Sequence, residues 1–344
     1  MTKVPLITVL NQNFEQVGVI DDYISLVWTE RFNKLGDFVL ELPIRYSRQV
    51  RHDSILTVPF SKRIMIVKDV SPSWDSDSGA KIKITGDSGE GLLNRRVSED
   101  TIYLENVSLD MAVGYLISAN FTNPTNPKRE IARIIFTGSK TGAETILTDK
   151  LEPGFVYDLI RQLCIPVNHG FKLELQNDRG LIFSTYVGLD RSYAQTTRSY
   201  VIFSEAFENV ASYAYYVSAS ERNVAIVLSN EESPELQLVE VFGGSEPEGL
   251  TRREGLVDAT GVTRRVDDGE DLTDEEMYTV LQARGINYLL DNVGRTLFEG
   301  DLDTTQQFRF GVDFGMGDYV QCNFDSLQTR GQVTEVIWSF NNEG

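Results

Sequence analysis

Two stretches, DSILTVPFSKRIMIVKDVSPSW at Asp53–Trp74 and DYVQCNFDSLQTRGQVTEVIWSF at Asp318–Phe340, decide how this sequence folds. Each reads as a strand, a polar turn and a second strand that runs into a Val-x-acid-Val, at Val67–Val70 and at Val333–Val336. The opening acid lies 16 residues before the second acid in one stretch, Asp53 to Asp69, and 17 in the other, Asp318 to Glu335. Such self-similarity predicts two copies of one β module, the second broken by an insertion. Two unrelated hairpins can also be matched this loosely, and the residues alone leave both readings open.

Outward from the first stretch, residues 1–100 read as a first β module. LITVL, SLVWTERF, DFVLELP, SILTVPF, RIMIVKDVSPSW and KIKITG are short apolar or alternating runs, separated by Asn, Asp, Gly, Pro or Ser, as in a small antiparallel barrel or sandwich. Residues 101–195 read as a mixed α/β module. SLDMAVGYLISANF is a helix started by Ser108 and Asp110, IARIIFTG a strand, and GFVYDLIRQLC a helix between Pro153 and Pro166. FKLELQNDRGLIFSTY is a hairpin turning at Asn177-Asp178-Arg179-Gly180. β character returns in 196–230 and 301–344, the two parts of a second β module. Between them, 231–300 is an insertion with an acidic loop and a helix, DEEMYTVLQARGINYLLDNVGRTLF, capped by Thr273 and carrying a stripe from Met277 through Leu289 and Val293 to Leu297. The expected fold is therefore mainly β with α/β insertions: two related antiparallel β-barrel modules, a mixed α/β module and a helical insertion.

The chain of 344 residues is long for one core, and its 41% hydrophobic content suits packed domains rather than disorder. No apolar run reaches membrane-spanning length, and the start MTKVPLITVLNQNFEQ lacks the apolar core of a signal peptide, so folding in the cytosol without stable membrane insertion is expected. A net charge of −19 argues against a specific nucleic-acid-binding surface, which needs clustered Lys and Arg. With two cysteines far apart, Cys164 and Cys322, two histidines and no metal-ligand spacing, no cofactor and no metal are expected. The acidic DDGED run lacks the spacing of a calcium loop.

One short motif invites a catalytic reading. Gly86-Asp87-Ser88-Gly89 has the four letters that surround the reactive serine of trypsin-like proteases. An attacking serine needs a histidine base oriented by a carboxylate. In that chain order only His52 could serve, and residues before 88 cannot hold a two-barrel protease. The Gly-Asp-Ser-Gly ends an alternating strand, where a turn accounts for it.

A wider resemblance sits on packing and turn motifs. YISLVWTERFNKLGDFVLELP (Tyr23–Pro43), with Ser-Leu-x-Trp followed by Gly-Asp-Phe, resembles the opening of a family of tail proteins of long-tailed, non-contractile phages. GLLNRRV, YVGLDRSYAQ…YVIFSEAFENVASYAYYVSASERNVAIV and MGDYVQCNF…GQVTEVIWSF fit in the same order, so the likeness spans nearly the whole chain. That family is similar to the baseplate hub proteins of contractile-tail phages and to the N-terminal part of tail-associated lysins. The resemblance implies a virion protein of the siphophage tail tip: a homotrimer whose six β-barrels match the hexameric tail tube and surround the DNA exit channel. The implied partners are the distal tail protein ring and tube on one side, a tail fibre, spike or lysin on the other, and the end of the tape-measure protein. The hub reading also predicts an acidic channel lining, over which DNA slides without sticking; simple solubility is the plainer explanation of the charge.

The alternative is a tail-associated cell-wall hydrolase using paired carboxylates. With the second β module read up to residue 344, no appended lysin domain is expected in this sequence, and acid-rich loops are more simply solvated. An adhesin, suggested by 14 tyrosines, is weaker still, since most of these alternate within strands. No catalytic residue is therefore expected. Candidate interface residues are Tyr213, Tyr215, Tyr216 and Trp338, because aromatics carry most interface energy, and Arg95 and Arg96 as ion-pair or interface groups.

Overall fold

The hairpin inside Asp53–Trp74 organises the architecture. The computed structural model describes residues 5–76, 79–131, 133–139, 145–176, 180–265, 271–294, 296–302, 307–324 and 327–341. In it, Ile55–Val58 pairs with the long strand Ser61–Asp75, which pairs in turn with Gly79–Ser88. The first half of the long strand, Arg63 to Val67, is buried on both faces, so its apolar run is continuous instead of alternating. From Gly79–Ser88 the antiparallel sheet continues to Asp37–Pro43, Ser25–Arg31 and Glu335–Asn341. On the other flank Ile55–Val58 meets Ile7–Leu10, and Ile7–Leu10 meets Gln16–Ile20. Trp28, Phe38, Leu40, Ile82 and Ile84 alternate inward along these strands to form the core.

Glu335–Asn341, expected with the second β module, is thus a strand of the first. Trp338 stands opposite Trp28, and Arg31 bonds both Asp37 and Glu335 across the joint. The expected barrels are corrected with it. Among the described residues the first path runs from Gln16–Ile20 to Glu335–Asn341 without closing. The second module holds a three-stranded sheet, Ile202–Ser204, Tyr319–Phe324 and Leu327–Gln332, and a ribbon of Val210–Val217 with Thr296–Leu302. Among the described residues these two sheets share no pairing and form no ring.

The two hairpins share a backbone bracket. Asp53 and Gly317 both take the left-handed conformation, at φ of 61° and 88°. Asp53 N–H donates to the Val67 carbonyl (2.9 Å) and Val67 N–H to that of Ser54 (2.9 Å). Gly317 N–H donates to the Val333 carbonyl (2.7 Å) and Val333 N–H to that of Asp318 (2.8 Å). Ile55 then faces Ile66 as Tyr319 faces Gln332. Gly317, not Asp318, is the counterpart of Asp53. Beyond the bracket the copies diverge. A bulge between Val67 and Asp69 keeps the first strand on Gly79–Ser88, whereas the second leaves its hairpin at Thr334, whose carbonyl accepts Phe32 N–H, and joins Ser25–Arg31.

The middle module packs helices Leu109–Ile117 and Val156–Cys164 on the hairpin Gly170–Leu175/Leu181–Tyr186, with Ile134–Thr137 parallel to its second strand. Ser108 caps the first helix by accepting Met111 N–H (3.2 Å). The module joins the long strand through Glu174 opposite Arg63. The turn expected at Asn177-Asp178-Arg179 lies outside the described residues.

In the insertion, Val224–Leu228 is the centre of a sheet between Leu238–Phe242 and Glu254–Asp258, covered by the helix Asp274–Asp291. That central strand was expected in the second β module. Thr273 and Glu276 close a capping box, and Met277, Val280, Leu281 and Leu289 face the sheet. Gly285 is required there, since a Cβ would lie 2.5 Å from the Val241 side chain. The helix, expected to run through Leu297, ends at Asp291. Glu221 N–H bonds the Asn292 carbonyl, and Gly294 sits where a Cβ would lie 2.5 Å from the Ser218 carbonyl oxygen, so the chain turns into Thr296–Leu302. The acidic loop over 266–270 lies outside the described residues. Among the described residues no helix is long and apolar enough to cross a membrane.

Candidate assembly surfaces

Ser88 is fully buried. Its N–H donates to the Gly36 carbonyl (2.9 Å), and its Oγ accepts Gly36 N–H (2.9 Å). This two-way lock ties Gly-Asp-Ser-Gly to the Gly-Asp-Phe at Gly36–Phe38. A Cβ at Gly36 would lie 2.2 Å from the Thr29 carbonyl oxygen, so only glycine fits the close approach. His52 holds its Nδ1 2.5 Å from the Lys68 carbonyl and His169 its Nδ1 2.9 Å from that of Val167. Neither bonds Ser88. The serine positions two strands.

The buried carboxylates Glu30 and Glu90 flank Arg63, at 3.4 Å and 3.3 Å. Arg63 also donates to the Arg31 carbonyl and the Tyr186 hydroxyl, and Glu90 accepts Leu173 N–H (2.9 Å). Glu30 accepts from Trp28 Nε1 and Ser61 Oγ. Burial raises the Glu30 carboxyl above its ordinary value, because one guanidinium shared with Glu90 does not compensate for lost water. The cavity beside Glu90 holds about 10 Å³, lined by Leu92, Leu93, Ile117, Phe121 and Leu173. It admits nothing larger than a water. This carboxylate pair joins the first module to the middle one.

Arg95 pairs with Asp53 at 2.7 Å, so its charge braces the first bracket. Arg96 donates to the carbonyls of Arg129 and Arg95 and lies over Phe121. Burial, with Arg129 and Arg95 nearby, holds its guanidinium below the ordinary value. Trp338 is half-buried on Phe60 and Phe310, which makes it an internal joint between the modules. Tyr213 packs on Phe298 and Phe324. Tyr215 and Tyr216, further along the same ribbon, are 54% and 68% exposed. Of the six candidates, those two present apolar area to solvent.

Sequence reading passed over two residues that matter equally. Trp74 is 75% exposed at the tip of the long hairpin, and its signal was the alternation Val70, Pro72, Trp74 running past the sheet. Leu297 lies opposite Tyr216 on the ribbon, hidden by its match to the helix stripe. Cys164 and Cys322 are free thiols, buried, and burial pushes Cys322 up to about 11. Among the described residues no cluster of three or more His, Cys, Asp or Glu could hold a metal.

This fold is found in phage tail proteins. The tail protein from Neisseria meningitidis MC58 superposes with a TM-score of 0.58 at 12% identity, covering 98% of this chain and 93% of that one. The prophage MuSo2 43 kDa tail protein from Shewanella oneidensis gives 0.56 at 12% identity over 98% and 95%. Prophage tail protein gp18 from Listeria monocytogenes EGD-e gives 0.55 at 13% identity over 97% and 90%. No curated protein matches the sequence. The profile of the Siphovirus ReqiPepy6 Gp37-like protein family matches residues 6–344, and the chain belongs to that family.

Proposed function

We propose that this protein is the structural hub of a siphophage tail tip: a homotrimer that matches a threefold tip to the hexameric tail tube and surrounds the DNA exit channel. The observation that carries this is the repeated bracket, Asp53 to Val67 and Gly317 to Val333. A chain with two like β modules offers six in a trimer, which is how a threefold object can meet a sixfold ring. The distal tail protein ring and tube are its partners on one side. A fibre, spike or lysin docks on the other, and the tape-measure end rests within. An interior locked by Ser88 and by Arg63 between two carboxylates suits a scaffold better than a hydrolase.

Light scattering of the purified protein, with negative-stain imaging, tests the reading. The expected result is a particle of three times 38.7 kDa with a central hole. A chain that stays monomeric, alone and with the distal tail protein ring, overturns it.

A further inference from the structure

The two β modules differ in what covers their strands. In the first, Ser25–Arg31 has Asp37–Pro43 on one side and Glu335–Asn341 on the other. In the second, Val210–Val217 has Thr296–Leu302 on one side, and among the described residues no strand lies on the other. Its outer end is apolar and bare: Tyr215, Tyr216 and, across the ribbon, Leu297.

The strand that covers Ser25–Arg31 is the continuation of the second hairpin beyond Val333. Its counterpart beyond Val67 is the arm Asp69–Trp74. Counted from the two bracket valines, Val70, Pro72 and Trp74 hold the places of Val336, Trp338 and Phe340. Trp338 and Phe340 are packed on Phe60. Trp74 is bare. The arm keeps Gly79–Ser88 on one side, and past Val67 no described strand covers its other edge. Pro72 is tolerated on such an edge and shortens any ladder built there. One chain thus carries an uncovered ribbon in its second module and, in its first, an uncovered relative of the strand that covers.

We propose that the two meet between copies: the Val70–Trp74 tip of one chain docks on the Tyr215, Tyr216 and Leu297 ribbon of a second copy of this chain. The contact repeats between chains the joint that Glu335–Asn341 makes within one, through the arm's free edge, with Trp74 as its anchor. Donor and acceptor are different surfaces, so the contact is head-to-tail, and in the trimer proposed above three such contacts make the ring. The inference rests on the trimeric reading above.

Two single-cysteine chains, Ser73→Cys and Ala214→Cys, co-expressed and oxidised, test it, with Tyr216→Cys as a second acceptor. Cys164 and Cys322 are buried and do not compete. The expected result is a trimer by light scattering, with a disulfide dimer on denaturing gels only when both chains are present. A trimer that forms no disulfide with either acceptor, or in which one variant cross-links to itself, overturns the contact and leaves the trimer standing. An unmodified chain that stays monomeric, alone and with the distal tail protein ring, overturns both. Trp74→Ala, folded by circular dichroism, is expected to raise the concentration needed for the trimer at least about tenfold. An unchanged midpoint overturns the role of Trp74.

Discussion

Glu30 and Glu90 place two carboxylates on the single guanidinium of Arg63, away from water. The consequence for stability has a definite sign. Burial holds Glu30 above its ordinary value near 4.5, so the native chain keeps this proton more readily than the unfolded chain. The proton's contribution is then fully present below the ordinary value and is lost as pH rises through the raised native one. Glu30→Gln keeps an acceptor oxygen for Trp28 and Ser61 but has nothing to titrate. The stability difference between the native chain and this variant is expected to fall with rising pH across that window, by up to about 1.4 kcal/mol per pH unit, then level off. Urea unfolding of both chains between about pH 4 and pH 7 measures it, and a difference constant with pH would sink the account. Ser88 makes the complementary point at the same scale. Its sequence neighbours suggested chemistry and its hydrogen bonds show packing, because motif letters do not reveal which backbone groups a side chain will find.

Strands and helices were legible where their pattern is local. The capping box at Thr273 and Glu276, the Ser108 cap and the alternation of Phe38, Leu40 and Leu42 can each be read within a few residues, and each stands in the structure. Pairing across long separations was not. Nothing around Glu335 announces that its partner is Arg31, and the end of the insertion helix depends on Gly294 meeting Ser218 and Ser220 from another segment. The candidate surfaces divide in the same way. Tyr215 and Tyr216 are exposed aromatics on a ribbon, but Trp338 has the same composition signal and points into the chain. Glu335–Asn341 is therefore the element to remove. A chain ending at Thr334 would bare the edge of Ser25–Arg31 and the face of Phe60 that Trp338 and Phe340 cover. An uncovered apolar edge pairs with other chains. The truncated chain is expected to aggregate where the full chain remains soluble, as size-exclusion chromatography would show. A soluble, folded product would mean that this strand is dispensable to the first module.

At the scale of the whole molecule, the insertion reads as a separable addition. Val217 and Thr296, where the ribbon leaves and re-enters the second module, are paired opposite each other. The segment between them, 218–295, builds its own sheet, helix and core. It also carries 17 acidic and 7 basic residues, which is 10 of the chain's 19 excess negative charges. Among the described residues it meets the middle module through the Lys150 ammonium on Thr263, Arg284 on the Lys150 carbonyl, and Tyr103 against the insertion's core. Replacing 218–295 by an Asn-Gly turn asks the ribbon to close as an ordinary two-residue hairpin. The shortened chain is expected to fold, with Lys150 losing Thr263 but keeping Glu152 and a lower melting temperature from the lost contact with Tyr103. If the hub reading holds, it is also expected to assemble as the full chain does, because the repeated bracket, the Trp74 arm and the Tyr216 strand all remain. Circular dichroism and light scattering separate the outcomes. A folded chain that no longer assembles would place a subunit contact in the insertion, and an unfolded chain would show that the second β module needs the insertion to form.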